Sequence, residues 1–323
     1  MKTNIITSTI MPLVFLLSSS IAHSGSIMIT DCNQCDLAGQ HIDSGDYKGI
    51  SMSYSDLGGA KFSDVVFEKS NFNNSDWSSV EFENSEFIKC NFSVTDLSEA
   101  RFTSVKLSKS KFAYADLDEA IFQDVLADDT ELNNVSASEI TILNSDFSDS
   151  DMNVADLSDA EIDQSKFNEI KFSYGDLSGA AVSKSSFEEC ECNNSDFSDT
   201  TMSDINFQGS KLDVANFSKS VLTEMDFRDS SLSYTNFSKI EISSSDFHEV
   251  EANNSDFSKS TLTNVKFVDA DLRVANFSKA KLVNVDFTGA DLVYADFGGA
   301  EFTNVIFDQA DTSNVDFSKV IRN

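Results

Sequence analysis

The most restrictive feature of this chain is a period of five. Stepping by five from Cys32 to Phe317, every position is apolar or small except Thr312, and every phenylalanine beyond the first 24 residues falls on this register. The run includes Leu57, Phe62, Phe67, Phe72, Trp77, Phe82 and Phe87 without loss of phase. Two residues before each such centre stands a small or β-branched side chain, as at Ser55, Ala60, Val65 and Ser70. A helix repeats its apolar positions about every 3.6 residues and a strand about every 2. Neither period locks onto five along a whole chain. A short extended piece followed by a turn does, and four such units close a square coil whose residues twenty apart stack at about 4.8 Å, the spacing of neighbouring strands.

A twenty-residue period is visible independently. Segments starting at Ser53, Asn73, Ser93 and Ala113 read SYSDL, NNSDW, SVTDL and AYADL, which places Asp56, Asp76, Asp96 and Asp116 in one column. Two residues before these aspartates the sequence cycles Tyr54, Asn74, Val94, Tyr114, Asn134, Val154, so a decapeptide such as SYSDLGGAKF returns every sixty residues. Duplication of a three-coil block explains this cycle. A ruler of tyrosines about 14 Å apart, set by three strand spacings, is the rival explanation.

The segments ADLDEA, ADLSDA, ANFSKA and ADFGGA resemble the A-(D/N)-L-x-x motif of the pentapeptide-repeat family, over nearly the whole chain beyond its leader. The resemblance implies an all-β fold, a right-handed quadrilateral β-helix of about 14 coils of 20 residues, with centres and small residues inward and the other three of each five outward. Many members of the family have no known activity. Members that resemble B-DNA in width and charge occupy DNA gyrase, and a rod about 70 Å long with this acidity fits that alternative. Against it stand the leader described next, and the lack of the interrupting loops and C-terminal dimerisation helix of those members.

The chain opens with one charge, Lys2, an apolar run from Ile10 to Leu17, and small residues near Ala22 to Ser24. This reads as a secretory signal peptide over residues 1–24, followed by one repeat domain over 25–320 and a tail at 321–323. The apolar run is shorter than the roughly 20 residues that cross a bilayer. The expected location is therefore exported, periplasmic or secreted from a bacterium, with no membrane span. The formal net charge of −31 argues against nucleic acid or an anionic membrane as partner, since both call for basic patches. It leaves an unknown protein, with a basic one favoured by charge, and an exposed strand edge at the last coil invites end-to-end pairing of two copies.

The repeat places the chemistry-bearing residues. Cys90 and Cys190 fall at equivalent inward positions five coils apart and cannot bond each other; buried reduced thiols are the expected state for both. Cys32 with Cys35 and Cys190 with Cys192 are local pairs able to close, but too distant from one another for a four-thiolate zinc site. His41 and His248 lie about ten coils apart, so no histidine pair shares a metal or a proton, and no serine has the adjacent base that an activated nucleophile requires. A catalytic site and a cofactor are not expected.

Two acidic features stand as candidates. The column Asp56, Asp76, Asp96, Asp116, Asp156, Asp176 and Asp196 offers clustered carboxylates to a hard cation; turn chemistry, in which Asp and Asn bind nearby backbone, is the competing and preferred reading. Between Lys111 and Lys166 no basic residue occurs. That band contains Asp116, Asp118, Glu119, Asp124, Asp128, Asp129 and Glu131, the candidate partner surface, and it contains the smallest centres, Ala127 and Ala137, where the coil is expected to bulge or loosen. The function expected from all this is a non-catalytic exported scaffold or interaction rod, with a gyrase-directed DNA mimic and a weak cation binder as alternatives.

Overall fold

The computed structural model describes residues 31–322; the leader expected at 1–24 lies outside them. The described chain winds as a parallel β-solenoid of about 14 turns with about 20 residues per turn and no helix. One face of the square carries the regular strands, from His41–Lys48 and Lys61–Glu68 through Thr201–Asn206 to Glu301–Thr303. These pair in parallel with a constant offset of twenty, His41 with Lys61, Lys61 with Glu81, and Glu301 with Ile321. The other faces are held by single bridges at the same offset, such as Asp56↔Asp76 and Asn71↔Asn91.

The reason for period five is local. At each centre the N–H reaches a carbonyl of the next coil, as Leu57 N to Asp76 O at 2.7 Å. Three residues on, an amide closes a turn, as Ala60 N to Leu57 O at 2.9 Å. The second turn residue of each unit is left-handed, with φ of 58° at Tyr54, 55° at Asp64 and 53° at Lys69. Each pentad thus turns one corner. The centre and the residue two before it are buried along the rod, from Ile42 at 1% exposure to Ala300 at 0%.

Inward serines would be costly if unpaired, and the coil satisfies them. Ser75, Ser110, Ser195 and Ser220 each donate a hydroxyl to the centre carbonyl of the preceding coil, at 2.8, 2.9, 2.6 and 2.8 Å. Among the described residues the buried side-chain polar atom without a partner is the indole Nε1 of Trp77.

Three expectations are corrected. Ala127 and Ala137 do not loosen the coil: both are buried, at 0% and 1% exposure, and the bridges Leu126↔Asp146 and Ser136↔Asp156 keep register. Over Ala127 the rings of Phe122 and Phe147 meet diagonally with centroids 5.6 Å apart, while Val135 and Ile140 flank Ala137 inside the core. Cys190 is not a reduced filler; its sulfur is bonded to that of Cys192, because the inward positions of one pentad lie two residues apart, with Cα atoms at 5.6 Å. Residues 321 and 322 are not a tail but a further rung, since Ile321 and Arg322 pair with Glu301 and Phe302.

Candidate functional site

The Asp column is a turn device in its geometry. Oδ1 of Asp76, Asp96, Asp156 and Asp196 accepts the backbone N–H two residues on, at 3.0, 3.0, 3.0 and 2.9 Å. Asp56, Asp116 and Asp176 do the same at 3.0, 3.0 and 2.7 Å. Each thereby holds the corner that follows it. Ser136 interrupts the column between Asp116 and Asp156. Further along, Asn216 donates its amide to Asp196 at 3.1 Å and Asn236 to Asn216 at 3.0 Å, so asparagine replaces like-charge contact with a hydrogen-bonded ladder. Asp116 has its pKa raised, first by burial and then, against the hydrogen bond from the Asp118 amide, by the charges of Asp118 and Asp96.

The acidic band is a girdle rather than a patch. Asp116, Asp118 and Glu119 gather at one corner, with Asp118 accepting from Ser136 Oγ at 2.7 Å and from Ser138 N at 2.9 Å. Asp124 lies at the next corner, bound by the Asn144 amide. Asp128 accepts from Ser108 Oγ at 2.7 Å. Asp129 and Glu131 are not uncompensated: Lys109 and Lys111, one coil earlier, reach them at 3.3 and 2.6 Å. Sequence distance hides such neighbours, since the lysines lie outside the basic-free interval but directly below its first coil. The same vertical pairing recurs at Lys61–Glu81 and Lys106–Glu86, both 2.6 Å.

Among the described residues, His248, Glu249 and Asp269 form a group whose ligand atoms lie within 4.8 Å of one another. Column arithmetic could have found it, because Asp269 stacks twenty residues after Glu249. Two of the free thiols, Cys32 and Cys90, offer little reactivity. Burial, and then the neighbouring Cys35, push the Cys32 thiol up to about 12, and burial pushes Cys90 up to about 12; a thiol so raised stays protonated and poorly nucleophilic. A shallow groove lies between Asp226, Asp246 and Lys266.

The most unusual outward feature is the corner two residues before the Asp column. Tyr54, Tyr114 and Tyr174 are 63%, 63% and 66% exposed, and Val94, Val154 and Val214 are 54%, 51% and 53% exposed. All of them adopt φ between 58° and 63°. That conformation suits Gly, Asn and Asp and costs most for a β-branched residue. Neither turn chemistry nor burial therefore accounts for Tyr and Val at these places.

A four-faced parallel solenoid with a hydrophobic axis and three outward residues per pentad defines a non-globular repeat protein whose chemistry is carried by its surface rows. The family model described as a pentapeptide repeat region matches residues 129–197, 180–257 and 252–317, and that described as pentapeptide repeats (8 copies) matches 60–93 and 85–124. The chain belongs to the pentapeptide repeat proteins. No curated protein matches it.

Among solved structures it is similar to HetL, a pentapeptide repeat protein involved in heterocyst differentiation regulation from the cyanobacterium Nostoc sp. strain PCC 7120, with 18% identity over 80% of this chain and 89% of that one, TM-score 0.24. A pentapeptide repeat protein from the Arabidopsis thaliana thylakoid lumen is 25% identical over 30% of this chain and 68% of that one, TM-score 0.30. Full-length QnrB1, a plasmid-mediated fluoroquinolone resistance protein, is 18% identical over 89% and 94%, TM-score 0.19. No helix among the described residues is long and apolar enough to cross a membrane.

Proposed function

We propose that this protein is a non-catalytic interaction rod, exported from the cell that makes it, which presents a row of tyrosine and valine beside an acidic column to a protein partner. The observation that carries the reading is the exposed Tyr/Asn/Val corner on left-handed backbone. Selection for stability alone would place Asn or Gly there, because a side chain in that conformation is strained. Tyrosine is among the side chains enriched at binding hot spots. The acidity around the corner favours a partner with basic groups, whose approach is steered by the field. Export rests on Lys2, the apolar run from Ile10 to Leu17 and the small residues that follow.

Affinity capture from the native cell envelope tests the reading. The mature chain is expected to recover one stoichiometric basic protein, with association slowing steeply as salt rises. Tyr174→Asn with Tyr234→Asn is expected to lose that partner while melting no earlier than the wild type. Equal capture by both proteins removes the tyrosine row from the account. Export is checked by N-terminal sequencing of the protein from the envelope fraction, where a start near residue 25 is expected and an intact Met1 refutes it.

A further inference from the structure

Four rows of left-handed residues run along the corners of the rod, and in two of them the charges fall into blocks. One corner carries Lys69, Lys89 and Lys109. It continues as Asp129, Asp149, Glu169 and Glu189. The corner half a coil away runs in the reverse order, with Glu99, Glu119, Glu139 and Asp159 first. Lys219, Lys239, Lys259 and Lys279 follow. All of these side chains are exposed.

Blocks of this kind are unfavourable in an isolated rod. Each residue stacks on a like charge one coil away, at about the 4.8 Å strand spacing. The corner conformation favours Gly, Asn or Asp, so it does not ask for Lys or Glu. On its other rows the same rod places opposite charges over each other, as at Lys111–Glu131 and Lys211–Glu191, 2.6 and 2.9 Å. In the two block rows the signs meet only where the blocks join, at Lys109–Asp129, 3.3 Å, and Lys219–Asp199, 3.1 Å.

We infer that the occupant of these corners is a second copy of this chain, lying alongside in parallel and displaced by four and a half coils, about 22 Å. Under this displacement each residue of the first corner faces the residue ninety positions later on the second. Lys69 then meets Asp159, Lys109 meets Asp199, and Asp129 meets Lys219. Asp149, Glu169 and Glu189 meet Lys239, Lys259 and Lys279. Asp229 meets Lys319, and Gly209 falls opposite Gly299. Lys89 falls opposite Gly179, and no like pair arises along these two corners. A displacement one coil shorter sets Asp129 against Asp199, and one coil longer sets Lys109 against Lys219.

A uniformly basic partner would meet repulsion from the lysine blocks, and a uniformly acidic one from the carboxylate blocks. A second copy presents both signs in matching order. The pairs act at contact, whereas the repulsion of two acidic rods acts at longer range and is screened beyond about 8 Å at physiological salt. Because each rod carries both corners, the contact is head-to-tail in kind and propagates into a staggered array. It stands independently of any foreign partner at the tyrosine row.

The full chain is tested by sedimentation velocity in about 0.15 M and about 1 M salt, where screening differs. Species larger than the monomer are expected at the lower salt, growing with concentration and reverting to monomer at the higher. Lys219→Glu/Lys239→Glu/Lys259→Glu and Asp129→Lys/Asp149→Lys/Glu169→Lys are each expected to stay monomeric, and an equimolar mixture of the two to associate again. Rescue by mixing cannot come from misfolded variants. A carbodiimide is expected to join Glu189 to Lys279 and Asp149 to Lys239, links that only two different molecules can make, since these residues are four and a half coils apart within one rod. A monomeric wild type, or variants that associate as the wild type does through the rod ends, overturns the proposal, as do cross-links in another register.

Discussion

Two stretches of this rod share one backbone and differ in what fills it. From Phe187 onward two of the four core columns are phenylalanine throughout, with neighbours such as Phe207 and Phe227 stacked at 5.3 Å and 2° and Phe257 and Phe277 at 4.9 Å and 2°. Between Phe112 and Phe172 one of these columns holds Leu117, Ala137 and Leu157, and the other holds Ala127 before Phe147 and Phe167 restore its stack, so the rings are interrupted. Yet the ladder does not notice: Ala127 N to Asp146 O and Phe207 N to Asp226 O are both 2.7 Å. The coil is set by backbone pairing every twenty residues, and the core needs only to be full, by whichever side chains reach the space.

The comparison is broken most severely by removing a ring from the stacked region. Phe207→Ala should cost roughly 3 to 5 kcal/mol in denaturant unfolding, because coils on both sides hold their rings in place and leave a cavity. The outward Lys219→Ala, whose partner Asp199 is also exposed, should stay within about 0.5 kcal/mol. Equal losses would mean that inward and outward have been misassigned. Next in size is the converse change in the aliphatic region. Ala127→Phe should cost about 1 to 3 kcal/mol, since the space over Ala127 is already shared by Phe122 and Phe147; a neutral or stabilising result would reveal a void there.

One carboxyl in each stretch is shifted in the opposite direction, although Asp163 in the first stretch is lowered too, by the Ser183 hydroxyl first. The Asp116 carboxyl is raised from its ordinary value, by burial first. Asp271 is lowered, by hydrogen bonds from Arg273 first. A raised carboxyl binds its proton more tightly when folded, so its ionisation opposes folding and stability is recovered as pH falls through the folded pKa. A lowered carboxyl supplies stability above its unfolded pKa that is lost as pH falls through the folded one. Asp116→Asn should therefore raise the melting temperature at neutral pH and Asp271→Asn lower it, with both differences shrinking in acid. Glu68, held down at about 2 by Lys48 and then Lys69, should follow the Asp271 pattern, with its contribution fading from about pH 4.5 toward 2. Matching signs for Asp116 and Asp271 would refute the opposite roles assigned to these two carboxyls.

The smallest effect concerns the Asp column. Asp176→Asn keeps the acceptor that holds the Ser178 amide at 2.7 Å while removing one of a row of like charges. Stability should hold or rise slightly at low salt, and the gain should fade as ions screen the row. Millimolar calcium should add no more than its ionic strength. A calcium-specific rise in melting temperature, lost in this variant, would convert the column from a turn device into a cation site.

Much of this molecule was legible in the order of its residues. The period of five dictates which side chains are inward, the period of twenty dictates which residues stack, and both follow from local backbone geometry repeated without interruption. The Tyr/Asn/Val cycle and the Asp column could be read in the same way. What the residue order alone could not decide is set by contacts between coils and by the room left inside each one. Lys109 and Lys111 neutralise Asp129 and Glu131 although they lie outside the basic-free interval. The inward bond between Cys190 and Cys192 depends on two sulfurs meeting in the core. The placement of a large ring can even depend on a missing side chain: a Cβ on Gly45 would lie 2.5 Å from Tyr47 Oη, and one on Gly175 would lie 2.4 Å from the Phe172 ring. A linear pattern specifies direction, inward or outward; volume and charge are balanced in three dimensions, among residues that the winding of the coil brings together.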